Sequence, residues 1–143
     1  MNVHPKSLVS GIAVVSVFVT VVLAVPVSSF GQSMNAADNR CSGPGSTADT
    51  AACFTKARDD EDRKLNELYA RIQKVLEPEE KTALVQAERL WVQYRDATCD
   101  AERTLYGRGT GGPPAKIACL AAETKSRRES LLRSYGWVLE KRG

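Results

Sequence analysis

The sequence has a single histidine, His4, and it stands in an apolar leader, not in the polar body of the chain. Once the leader is set aside no imidazole remains, which excludes Ser-His-Asp and Cys-His nucleophilic centres and histidine-ligated metal sites. No C-x-x-C pair is present, so the cysteines do not have zinc spacing. Aromatic residues make up 6% of the chain, and no segment sustains the period-two alternation of a strand. A large charge surplus is missing too: the formal net charge is +3, which is too small, with too few interleaved aromatics, for a nucleic-acid binder. Paired carboxylates remain as a possible acid–base system. Those available, Asp59, Asp60, Glu61 and Asp62 or Glu79 and Glu80, stand in polar runs with nothing to bury and tune them. The chain therefore reads as a non-enzyme that needs no cofactor and no metal.

What is present begins with a targeting segment. Lys6 precedes an apolar run from Leu8 to Val25, Pro26 breaks it, and small residues follow, the order of a secretory signal peptide. Residues 1–31 are assigned to it; cleavage after Gly31 leaves small residues at the two required positions, and cleavage after Ser29 or Ser33 fits nearly as well. The alternative is an uncleaved anchor, since the run of eighteen residues just spans a bilayer. Cys41 follows Asp38-Asn39-Arg40, far from the apolar run, so no lipoprotein is expected. Cleavage removes Lys6 and leaves 19 basic against 17 acidic residues, with no stable membrane insertion thereafter.

Four cysteines, Cys41, Cys53, Cys99 and Cys119, in an exported chain argue for two disulfides. Three pairings are possible; Cys41 with Cys53 and Cys99 with Cys119 is preferred because each closes a short loop beside a helix end. Each would contribute about 3 kcal/mol through the unfolded state.

Residues 32–48 are polar and hold a Ser-Gly-Pro-Gly-Ser stretch that cannot propagate a helix. From an N-cap at Asp49 or Thr50, Phe54, Ala57, Glu61, Leu65, Leu68, Ile72 and Val75 recur at helical steps, with Glu61 an intruder. The acids at 59–62 read as a solvated face, with acid-first pairs from Asp59 to Arg63, Asp60 to Lys64 and Glu67 to Arg71. Pro78 opens a second helix over 78–104, whose predicted seam is Leu84, Ala87, Trp91, Tyr94, Thr98, Ala101 and Leu105. Four glycines and two prolines at 107–114 dictate a loop. Pro114 then opens a third helix with Ile117, Leu120, Ala121, Thr124, Leu131, Tyr135 and Val138 on its apolar side, where Arg128 is the intruder and Glu123–Arg127 and Glu129–Arg133 are further pairs. The fold class is all-α: an up-down-up antiparallel three-helix bundle over 49–143, stapled by two disulfides and following a signal peptide.

The densest motif is Trp91-Val92-Gln93-Tyr94-Arg95-Asp96-Ala97-Thr98-Cys99. Trp91 and Tyr94 fall on the seam and read as core; Arg95 and Asp96, just off it, read as partners for helices one and three, or as part of a binding surface. With Leu65-Asn66 and Tyr69 before it and Cys119, Thr124, Arg127 and Leu131 after it, the pattern resembles the lysozyme inhibitor LprI-like N-terminal domain family across almost all of residues 41–135. The resemblance implies a small helical, disulfide-bearing domain of the bacterial envelope and, for the member that named the family, inhibition of lysozyme. The chain departs from that member in lacking a lipoprotein signal and any substantial extra domain. The family supplies no catalytic residue.

Two functions are consistent with this reading. One is a periplasmic or secreted inhibitor of a lysozyme-type muramidase, in which Arg108, flanked by Tyr106 in the glycine-rich loop, enters a cleft built around two acids. The other is a non-catalytic envelope adaptor that binds another protein through the basic third helix, with Lys125, Arg127, Arg128, Arg133, Lys141 and Arg142. Residues 77–104 carry four basic and seven acidic side chains, whereas 105–143 carry eight and three.

Overall fold

The computed structural model describes residues 33–35, 39–41, 43 and 45–143; the leader and, in the polar segment assigned above, residues 32, 36–38, 42 and 44 lie outside the described residues. A 3-10 turn at Ser33–Asn35 precedes three helices, α1 (Thr47–Val75), α2 (Pro78–Thr104) and α3 (Gly112–Arg142), and there is no strand among the described residues.

Each helix starts where local chemistry satisfies its free N–H groups. Ser46 caps α1: its hydroxyl accepts from the Asp49 N–H at 3.2 Å, and the Asp49 carboxylate accepts from the Ser46 N–H at 2.9 Å. This reciprocal pair moves the start ahead of the predicted cap at Asp49 or Thr50, because Asp49 serves as the third helical residue of a capping box. The Ser46 N–H, together with its hydroxyl, which lies 2.8 Å from the same carboxylate oxygen, holds the Asp49 carboxyl below its ordinary range. Only Leu76 and Glu77 separate α1 from α2, and Pro78 opens α2 as predicted, with the Glu80 carboxylate accepting from the Glu77 N–H at 2.8 Å. Helix α3 begins at Gly112, two residues before the predicted Pro114, since Pro113 and Pro114 occupy first-turn positions that need no N–H.

The bundle is up-down-up. Glu61 meets Arg128 and the Val75 carbonyl meets Arg142, so α1 and α3 run parallel; Glu80 meets Arg142 and Glu88 meets Arg127, so α2 runs against them. Helix α3 packs against both others, while α1 and α2 barely touch and leave a groove between them.

Along its axis the bundle has three storeys. At the α1–α2 junction lies the apolar core, Leu65, Leu68, Ile72, Leu76, Leu84, Leu131 and Val138, with Tyr69, Trp91 and Tyr135 packed against it. Each fully enclosed aliphatic side chain here, such as Ile72 or Leu84, contributes roughly 1.5–3 kcal/mol. At the opposite end both predicted disulfides form, Cys41–Cys53 and Cys99–Cys119, and Phe54, Ala115 and Ala118 are buried there. A charged layer separates the two.

The predicted seam on α2 does not hold along the helix. Leu84 and Cys99 are buried and Trp91 is half-buried, but Tyr94 is 58% exposed and Ala87, Ala101 and Leu105 also face outward. A strict alternation of three and four drifts across the face of a helix with 3.6 residues per turn. The inward line passes instead through Leu84, Glu88, Trp91, Arg95 and Cys99.

Candidate functional site

The charged layer draws on all three helices. Arg127 of α3 binds Glu88 of α2 through two nitrogens, at 2.5 and 2.9 Å. Arg128 binds Glu61 of α1 at 3.0 Å. Thr124, fully buried, places its hydroxyl 3.2 Å from the Asp62 carboxylate. Arg95 binds its neighbour Asp96 at 2.9 and 3.0 Å and approaches Asp62 at 3.9 Å. Trp91 lies under two guanidinium groups, Arg95 at 5.1 Å and Arg127 at 5.8 Å from the ring centre, within cation–π range. Charges withdrawn from water are costly unless paired, and here every guanidinium has a carboxylate.

The predicted solvated face at 59–62 is thus only half solvated. Asp59 is exposed and binds Arg58 in place of Arg63, whereas Glu61 and Asp62 turn inward. Arg63 binds Asp60 and Glu67, and Lys64 binds Asp60 as predicted. The predicted Glu123–Arg127 pair gives way to Glu88–Arg127, because an inward-facing arginine finds its partner across the helix interface. Burial pushes the Glu61 carboxyl up, but the bonds from Arg128 and Lys64 outweigh it and leave the group below its ordinary value. The acids of this layer are committed to cations, an arrangement that favours fixed structure over proton transfer.

Between α1 and α2 the layer opens into a groove of about 660 Å³. Its walls include Leu65, Asn66 and Tyr69 from α1 and Trp91, Gln93 and Arg95 from α2. Of the motif residues, Trp91 and Arg95 line the groove and Asp96 is bonded to Arg95, with Cys99 one storey away in its disulfide; Tyr94 stands apart on the outside. Glu88 was not singled out from the sequence, and Asp62 was named only among the acids of the solvated face at 59–62. The signal for Glu88 is spacing, since Glu88, Trp91 and Arg95 fall three and four residues apart on one face.

The α2–α3 loop forms the other candidate. Gly107 adopts φ +55°, a left-handed conformation that suits glycine. The Gly109 N–H donates to the Tyr106 carbonyl at 2.9 Å. The Tyr106 ring lies so close under Gly111 that a Cβ there would come within 2.7 Å of it, and its hydroxyl receives a bond from Asn35 at 3.4 Å. Tyr106 is thus half-buried support, while Arg108 is exposed in the turn. Nearby, burial raises the Glu102 carboxyl, an N–H bond from Ser33 lowers it, and the Glu123 charge raises it further; the net shift is upward.

The sequence profile of the lysozyme inhibitor LprI family matches residues 37–131, running from just before Cys41 to Leu131 of α3. The chain belongs to the lysozyme inhibitor LprI family. No curated protein and no solved structure matches it. The LprI stretch takes in both disulfides, the charged layer, the groove and the Arg108 loop. It stops before Trp137 and Arg142.

Proposed function

We propose that this LprI-family protein is exported to the periplasm or beyond and binds a lysozyme-type muramidase as an inhibitor, with Arg108 as the group that enters the enzyme's cleft. The family supports the class of function. The observation that carries the residue assignment is an exposed arginine in a turn braced on each side, by the Cys99–Cys119 disulfide below and by Tyr106 under Gly111. A braced loop loses little conformational entropy on docking, and a guanidinium suits a cleft that works through two carboxyl groups. Export rests on residues 1–31 acting as a cleaved signal peptide, and the paired cysteines fit an oxidising compartment. Among the described residues no helix is long and apolar enough to cross a membrane.

An adaptor acting through the basic third helix has less to offer. Of its six named cations, Arg127, Arg128 and Arg142 are held by Glu88, Glu61 and Glu80.

The test is muramidase activity on cell-wall substrate, with the exported, oxidised protein added to lysozymes of several types. Dose-dependent inhibition that Arg108→Glu weakens at least tenfold, with helical content unchanged, is the expected result. Full inhibition by Arg108→Glu rejects the plug; no inhibition of any lysozyme type by folded protein rejects the function.

A further inference from the structure

Helix α2 has a second apolar line that none of the described residues covers. Ala87, Leu90, Tyr94, Ala97, Ala101 and Thr104 follow one another at steps of three, four, three, four and three, the a and d positions of a coiled-coil seam. All six are exposed; Leu90 is 66% and Tyr94 58% accessible, and Leu105, 69% accessible, extends the line at its end. The Thr104 hydroxyl is turned back onto the Ala101 carbonyl at 2.6 Å, so it adds little polarity. Two charged side chains of α2, Glu88 and Arg95, are spent on the inner face.

We infer that a second copy of this chain docks antiparallel on this outer face of α2. The order of large and small residues makes the line self-complementary. In an antiparallel pair, a positions share layers with d positions, and the register that covers the whole line sets Leu90 against Ala101, Tyr94 against Ala97 and Ala87 against Thr104 of the second copy. Every layer that holds a large residue then also holds a small one, and two helices can stay at one separation throughout. A parallel pair sets Tyr94 on Tyr94 and Ala97 on Ala97, which forces the axes apart in one layer and leaves a void in the next. Charge does not oppose the antiparallel register: Asp100 is already bonded to Lys116 of its own chain, and Arg89 of the second copy, exposed like Asp100, falls within about 3 Å of its level along the axis, so that each of two symmetric positions adds a cation beside an existing pair. The line runs about 26 Å.

The experiment is sedimentation equilibrium of the exported, oxidised protein and its variants, with circular dichroism as the check on folding. The wild type is expected as a concentration-dependent dimer. Tyr94→Ala and Ala97→Tyr, each at an exposed position that leaves the monomer intact, should each weaken the dimer at least tenfold. Combined in one chain they should restore it, because every layer again has one large and one small residue. A wild type that stays monomeric into the millimolar range overturns the inference, as does a dimer indifferent to all three variants, or a combined variant as weak as the single ones. If the protein is monomeric throughout and Leu90→Glu abolishes muramidase inhibition, the face belongs to the enzyme and self-association is rejected.

Discussion

Glu61 of α1 and Arg128 of α3 are bonded at 3.0 Å across the helix interface. Both side chains are largely withdrawn from water, so removing either one leaves the other charge without its counterpart. Glu61→Ala and Arg128→Ala are each expected to destabilise the protein by about 1–3 kcal/mol. The double variant should cost clearly less than the two together, since it strands no charge. Urea denaturation of the four proteins measures the coupling; additive losses would mean that the pair does not act as a unit.

These two residues also show what a sequence reading reaches and where it stops. Glu61 and Arg128 each stood out as a fault in an otherwise apolar stripe. Each fault taken alone gives no structure, and only the parallel alignment of α1 and α3 reveals them as one bond. Helix α2 was legible in its bounds because Pro78 and the glycine run punctuate it. Its inward face was not, because Glu88 and Arg95 are polar by type and inward by position, while Leu90 and Tyr94 are the reverse. The disulfides were legible because short cysteine spacings coincide with helix ends. The groove was not, since it depends on how far apart the backbones of α1 and α2 stand where both lean on α3.

The carboxyls of Glu61 and Glu102 shift in opposite directions and should leave opposite marks on pH dependence. Glu61 is held below its ordinary value of 4.5, so its bond supports the fold fully above that pH and is lost as pH falls through the lower folded value. Glu102 is raised above 4.5, chiefly by burial, so its ionised form weakens the fold at neutral pH, and the penalty fades as pH falls through the raised folded value and is gone below 4.5. Glu102→Gln is therefore expected to raise Tm at pH 7 and to match the wild type well below pH 4.5, while Glu61→Gln lowers Tm at pH 7. Thermal melts across that range decide it; a Glu102→Gln protein less stable at pH 7 would contradict the assigned shift.

The two disulfides should not be equal. Cys99 and Cys119 are both buried at the junction of α2 and α3, and their bond closes a separation of 20 residues; Cys53 is exposed and its bond closes 12. Replacing both Cys99 and Cys119 by alanine is expected to cost about 3 kcal/mol or more, through loop entropy and lost packing together. The corresponding change at Cys41 and Cys53 should cost less and leave α2 and α3 protected. Hydrogen exchange resolved along the chain distinguishes local fraying at the start of α1 from loosening of the whole bundle.

Trp91 joins the apolar core to the charged layer, packed against the first and lying under Arg95 and Arg127 of the second. Its replacement by leucine keeps an apolar side chain toward the core but removes the ring face that both guanidinium groups use. Each such contact is worth about 0.5–2 kcal/mol, and Arg127 also depends on its place beside Glu88. Trp91→Leu is thus expected to lower stability by about 2–4 kcal/mol, counting the lost volume as well. In a Trp137→Phe background, where the exposed second tryptophan is gone, the emission of Trp91 should change when Arg127→Met or Arg95→Met removes a cation from beside the ring. If neither variant alters that emission, the arginines do not rest on the ring in solution, and the groove wall they form with it is not the fixed surface described above.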